Sequence, residues 1–242
     1  MKLYPLEPIS RLAINIARIS KKIEMDVLIK GVDMADLDLD CLVGIGDGTP
    51  DDIAFSIIAF HLNGDKIAGI VKPEMEKRDA CIDLIPRYLN GNIRKILILM
   101  DEGDDPLDTI YEKIQQRVKK LATGEVEVIN EETEERVKIY TGKYGSKDFE
   151  LIFVINGLDD IRTGKHSIED HLLKAAKMLS VDIGDFENSK AAWKSINHNL
   201  QLEIFNALKN NRQMVEKVFP QQVRGCKYLT EKMYHQLSHR NQ

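Results

Sequence analysis

Residues 95–106, KILILMDEGDDP, constrain this chain more than any other stretch. Five consecutive apolar residues, Ile96 to Met100, run straight into Asp101, Glu102, Asp104 and Asp105. A strand with one wet face alternates between apolar and polar residues. A run without alternation reads as a strand buried on both faces, the pattern of a parallel sheet covered by helices. Such strands deliver their last side chains to the carboxyl edge of the sheet, where ligands bind in open α/β folds. Carboxylates crowded there repel one another, and a hard divalent cation with oxygen ligands relieves that repulsion. The competing reading is a capped helix start. Asp105-Pro106 is a good one, and acids at helix N-termini are favoured by the helix dipole without any metal.

The pattern around this run extends the α/β reading. Residues 41–46 and 66–71 are further apolar, β-like runs, and 150–155 (ELIFVI) is a second buried strand. Helical spacing of apolar residues covers 52–62, 79–89 and 107–121. The alternation of strand and helix predicts a mostly parallel sheet flanked by helices. Residues 9–22 read as a short amphipathic helix capped by Ser10, and 23–31 as a strand at a sheet edge. Residues 126–129 and 136–140 predict a hairpin around the charged segment 130–135. A helix opening at Ser167 is expected to run to about residue 179, with Ser167 and Asp170 at capping-box spacing. Beyond a link at 180–187, a long helix over 190–218, capped by Asn188 or Ser189 and ended by Pro220, precedes a last helix over 222–237. The division expected from this is an α/β domain over 1–180 and a helical extension over 181–242.

Composition narrows the function classes. The 242 residues are 43% hydrophobic but only 6% aromatic, so Ile, Leu and Val must build the core. A net charge of −5 gives no global attraction to nucleic acid or to acidic membranes, so any such contact needs a local basic patch. The final helices offer one, with Lys209, Arg212, Lys217, Arg224, Lys227, Lys232 and Arg240 against Glu216 and Glu231. Three scattered cysteines without CxxC spacing argue against a zinc site or a disulfide framework and fit a reducing cytosol. The N-terminal residues do not read as a signal peptide, and no apolar run approaches the ~20 residues a membrane helix needs. Gly44, Gly46 and Gly48 fall short of a GxGxxG loop, and neither a P-loop nor a GxSxG elbow is present. His166 and His171 flank Glu169-Asp170 and are candidate bases or ligands, though helix-start histidines are ordinarily solvated.

Three acidic groups coincide with three junctions between elements. Asp47, Asp51 and Asp52 follow the run at 41–46. Asp101, Asp104 and Asp105 follow the run at 96–100. Glu169 and Asp170 open the helix after 150–155. If the strands are parallel neighbours, all three groups share one edge.

In order and spacing these motifs resemble the topoisomerase–primase (TOPRIM) domain of the overcoming-lysogenization-defect nucleases and their single-domain relatives. Asp47-Gly48-xx-Asp51 is similar to the Glu-Gly-xx-Asp that opens that domain, with Asp47 one methylene shorter than the family's Glu. Leu99-Met100-Asp101 with Asp104-Asp105-Pro106 resembles the second, aspartate-rich motif, although it reads Asp-Glu-Gly-Asp rather than a plain Asp-x-Asp. Ile168-Glu169-Asp170-His171-Leu172 resembles a Glu-Asp-xx-Leu helix start, and Ser189-Lys190-Ala191 sits where those relatives often carry a lysine-containing helix. The resemblance covers residues 42–194. It implies Mg²⁺- or Mn²⁺-dependent phosphoryl transfer, with Asp101 and Asp104 or Asp105 holding metal. Asp47 would be a further ligand or the acid/base group, and Glu169 or Asp170 would hold a second ion. The expected functions are nucleic-acid phosphodiester cleavage or transfer, a non-catalytic nucleic-acid- or protein-binding module on the same fold, or a small-molecule phosphate enzyme. The shorter Asp47 makes a metal-binding edge easier to defend than catalysis.

Overall fold

The apolar run at 96–100 becomes the middle strand of a seven-stranded sheet. A computed structural model describes residues 1–46, 48–73, 80–91, 93–130 and 135–231. Its strands are β1 (Lys2–Pro5), β2 (Cys41–Gly44), β3 (Ile67–Val71), β4 (Lys95–Asp101), β5 (Glu127–Asn130), β6 (Val137–Tyr144) and β7 (Lys147–Asn156). They lie in the order β1-β3-β2-β4-β7-β6-β5. The first five in that order pair in parallel, while β6 and β5 add an antiparallel edge. The helices are α1 (Arg11–Lys22), α2 (Thr49–His61), α3 (Ala80–Asp83), α4 (Ile85–Asn90), α5 (Leu107–Leu121), α6 (Ile168–Met178), α7 (Ser189–Ser195), α8 (His198–Asn210), α9 (Arg212–Val218) and α10 (Pro220–Thr230).

The missing alternation in β4 has a direct explanation. Leu97 and Leu99 enter a core shared with α1, α2, α6 and α8 to α10. Ile96, Ile98 and Met100 enter a second core beneath α3, α4 and α5. Both faces are covered, so every position is apolar. Fully burying each of these side chains contributes roughly 1.5–3 kcal/mol. The C-terminal helices belong to the first core. α10 crosses β4 and β7 so closely that a Cβ on Gly225 would collide with Val154 and press on Leu97 at 3.1 Å. No helix among the described residues is long and apolar enough to cross a membrane.

Several local expectations are corrected. Residues 23–31 contribute only an isolated bridge, Leu3 to Leu28, and the sheet edge is β1 instead. The short β1 ends in Pro5, which suits an edge position. The helix expected over 79–89 is two short ones, with Pro86 in the first turn of α4. The long helix over 190–218 is three helices. Asn197 and Asn211 break it, because each side chain accepts from the backbone of the following turn, from Asn199 and Met214 respectively. Asn favours such N-caps over helix interiors. Pro220 opens α10 as well as following α9, and α10 ends at Thr230. Ser167 makes no side-chain cap bond to α6. The segment 131–134 inside the expected hairpin lies outside the described residues, but the flanking β5 and β6 pair antiparallel.

Candidate metal centre

The strand order places the carboxyl ends of β2, β4 and β7 side by side. From β2 the chain steps outward to β3 and then returns to the other side of β2 to form β4. The crevice between β2 and β4 is therefore a topological switch point, where ligands bind in open α/β sheets. Asp101 is the last residue of β4 and is paired in register with Asn156, the last of β7. Asp51 comes from the first turn of α2, directly after β2.

Asn156 joins the two acids. Its amide nitrogen donates to Asp51 Oδ1 and to Asp101 Oδ1, at 3.2 Å each. Its amide oxygen accepts from Gln222 Nε2 at 2.9 Å, so α10 sets which end of the amide faces the acids. Asp101 Oδ1 also accepts the backbone N–H of Ile168 at the start of α6, at 3.1 Å. Asp101 Oδ2 pairs with Lys190 Nζ at 3.0 Å. Glu169 and Asp170 are buried in the first turn of α6. One oxygen of each, Glu169 Oε2 and Asp170 Oδ1, has no hydrogen-bond partner among the described residues. Ser167 and Ser189 stand near them and favour their charged forms, without closing hydrogen bonds of normal length.

The electrostatics follow from this crowding. Burial, and then the charges of Asp101 and Glu169, push the Asp51 carboxyl well above the usual carboxylate range. Burial and Asp101 raise Glu169 as well. Asp170 is raised by burial despite its bonds to Leu158 N at 3.2 Å and His166 Nδ1 at 2.7 Å. Burial opposes the charge on Lys190, but Asp101, Glu169 and Asp51 together outweigh it and raise its pKa. One lysine thus faces three carboxyl groups.

The remaining sequence candidates occupy different surroundings. Asp47 lies outside the described residues. Asp104 is exposed and pairs with Lys165 at 3.3 Å, and Asp105 pairs with Lys113 at 3.1 Å, so these two are engaged away from Lys190. Glu102 is bound to the buried Arg136, which also holds Asp159. Asp52 is tied to Asn15 at 2.9 Å and Lys72 at 2.7 Å. His171, expected at an exposed helix start, is fully buried, and burial lowers its pKa to about 3. The neutral ring donates from Nδ1 to Val218 O at 2.6 Å. Its Nε2 faces Gly157 N at 3.3 Å and the side-chain amide nitrogens of Gln221 and Gln222 at 3.1 Å each. It fastens α10 to the sheet edge and is not placed to act as a base.

Sequence reasoning missed Asn156 and Gln222. Asn156-Gly157 reads as a turn, yet its place at the end of a buried strand parallel to the one carrying Asp101 was the available signal. Gln221-Gln222, two amides on a helix that otherwise buries apolar residues, was another.

Among the described residues no three His, Cys, Asp or Glu side chains are grouped so that they could hold a metal ion. The donor chemistry nevertheless suits a hard cation. The available groups are carboxylate oxygens, one of them on Glu169 is buried without a partner among the described residues, and like charges raise Asp51 and Glu169. No protein-family model matches the chain, and neither the curated proteins nor the solved structures searched contain a match.

Proposed function

We propose that this acidic edge is a Mg²⁺- or Mn²⁺-dependent site for cleavage or transfer of nucleic-acid phosphodiesters, TOPRIM-like in its arrangement. The observation that carries the reading is the convergence of Asp51, Asp101 and Glu169 on one lysine at a switch-point crevice, with a buried carboxylate oxygen unsatisfied among the described residues. Asp101, Glu169 and Asp51 would hold the ion. A bound divalent cation would supply Lewis-acid charge at the phosphoryl oxygens and lower the pKa of bound water.

The chain's own residues supply the rest. Asn156, oriented by Gln222, spaces Asp51 from Asp101. Lys190 stabilises Asp101 in the absence of an ion and becomes free to meet phosphate charge once Asp101 is shared. The proton that Asp51 retains above the usual carboxylate range must leave before it can ligate, so metal affinity rises with pH. The test is incubation of plasmid, single-stranded DNA and RNA with Mn²⁺ or Mg²⁺. Cleavage that Asp101→Asn abolishes is expected, and no cleavage of any substrate with either metal contradicts the reading.

A non-catalytic binding module on the same fold is the second reading. The Lys190–Asp101 ion pair favours it, because it partly neutralises the edge without a metal. Nucleic-acid binding without cleavage would select it.

A further inference from the structure

Two of the acid-free stretches of this chain carry basic residues to one place in the fold. Residues 8–23 lie between Glu7 and Glu24 and contain Arg11, Arg18, Lys21 and Lys22. Residues 188–202 lie between Glu187 and Glu203 and contain Lys190, Lys194 and His198. The fold brings the two together. A cavity of about 360 Å³ opens between α1, the start of α2, α7 and α8, and its walls include Arg18, Lys22, Lys194 and His198 over Trp193 and Phe205. Arg18, Lys22, Lys194 and His198 are exposed, whereas Trp193 is buried and forms the floor. Lys22 Nζ and His198 Nε2 lie 3.1 Å apart across the cleft. A lysine ammonium can only donate, so the ring nitrogen facing it is the acceptor. Among the described residues no carboxylate pairs with Arg18, Lys22 or Lys194.

The cleft and the candidate metal centre are built from neighbouring residues of the same elements. Asn15 and Pro50 line the cleft. Asn15 also holds Asp52, whose neighbour Asp51 belongs to the acidic cluster, and Arg11 acts on Asp52 from the same helix. Lys194 lies one helical turn beyond Lys190, which pairs with Asp101. At the far end the groove continues past Lys22 between Glu24, Glu203 and Lys209, where the acids return. The uncompensated positive charge is therefore confined to the part beside the acidic edge.

We propose that this cleft is the track for the sugar–phosphate backbone of a nucleic-acid strand. Arg18, Lys22 and Lys194 bind successive phosphates and lead the strand to Asp51 and Asp101. The assignment rests on the phosphodiester reading of the neighbouring site. Two features point to a polyanion backbone. Charge concentrated against the net −5 of the chain suits phosphate contacts, which dominate nucleic-acid affinity. The buried indole of Trp193 offers no exposed face for base stacking, so the contact is with the backbone and is insensitive to sequence. The basic residues of the last helices fit less well, because Arg212 is paired with Glu216 and Arg224 lies against Tyr228.

The experiment is fluorescence anisotropy of a labelled single-stranded oligonucleotide in EDTA, so that binding is read without catalysis, across a salt series. Arg18→Glu with Lys194→Glu is expected to weaken binding at least about tenfold and to lower the salt slope by roughly two, one for each phosphate no longer neutralised. Arg212→Glu with Lys217→Glu should change binding less than about twofold. Arg18→Gln with Lys194→Gln, which alters charge less, should fall between, and melting curves confirm that each variant is folded. The proposal is overturned if the wild-type chain does not bind, if the cleft variants bind unchanged, or if the α9 variant is the one that weakens binding. It is also overturned if an acidic peptide competes for the cleft and the oligonucleotide does not. Weakened binding by the cleft variants while no metal supports cleavage leaves the track standing and removes the catalytic reading. Cleavage with unchanged binding in the cleft variants does the reverse.

Discussion

Strands β4 and β7 carry charged groups at both of their ends, and the two ends are built on opposite principles. At the amino end of β4, Lys95 is paired in register with Glu150. Both are buried, and their charges meet at 3.2 Å, with Lys95 Nζ also donating to Glu231 O at 2.9 Å. At the carboxyl end, Asp101 is paired in register with Asn156, and Asp51 and Glu169 crowd in, offset by Lys190 and, at Asp51, by Lys72. One end is balanced one to one and closed. The other holds excess negative charge and buried carboxyl groups with raised pKa values. A buried charge that is balanced contributes to a specific structure. A buried charge left in excess costs stability unless a ligand supplies the counter-charge.

Breaking each end in turn should separate these roles. The largest effect is expected at the balanced end. Lys95→Met leaves Glu150 buried without its cation and should cost roughly 3–5 kcal/mol in chemical denaturation, and adding Glu150→Leu should recover much of the loss. Asp51→Asn at the other end should be neutral or stabilising within about 1 kcal/mol while abolishing metal-dependent activity, because it removes a carboxyl that burial and like charge disfavour. Equal destabilisation at both ends would refute the contrast.

Gly225→Ala comes next, with an expected cost of about 1–3 kcal/mol from overpacking where α10 crosses β4 and β7. Thermal unfolding measures it. His171 provides a pH test. Its folded pKa is lowered to about 3 from an ordinary value near 6.5, so the unfolded chain binds the extra proton between those values. The stability from neutral His171 is fully present above about pH 6.5 and is lost as the pH falls toward 3. His171→Leu should flatten that limb of a stability–pH curve. Gln222→Leu, which removes the bond that orients Asn156, is read on metal binding rather than on stability. It should weaken Mn²⁺ binding roughly 10- to 100-fold, as changes to groups supporting metal ligands do, and calorimetric titration reads it.

The contrast also explains what was legible in the sequence. The sheet could be read because β4 and β7 are buried on both faces, and a continuous apolar run marks that directly. The helix over 107–121 was readable to the residue, because its apolar stripe and its preceding Pro106 agree. Local side-chain bonding was not readable. Asn197 and Asn211 cut one helix into three, and nothing in the apolar period shows which Asn will cap. The acids Asp51, Asp101 and Glu169 could be placed at junctions from their positions after apolar runs. Which of the neighbouring acids would turn elsewhere depended on Lys165 and Lys113, distant or surface partners that the motif spacing does not encode. Asn156 and Gln222 were hidden for the same reason, since the bond between them joins residues of β7 and α10 that are far apart in the chain.

The central claim is that the excess charge at the carboxyl edge is a place for a cation. A crystal soaked in Mn²⁺ at pH 8, with an anomalous difference map, tests it directly. The expected result is a peak bounded by Asp101, Glu169 and Asp51, with Lys190 withdrawn from Asp101. A map with no peak there, and with Lys190 still paired to Asp101, would contradict it.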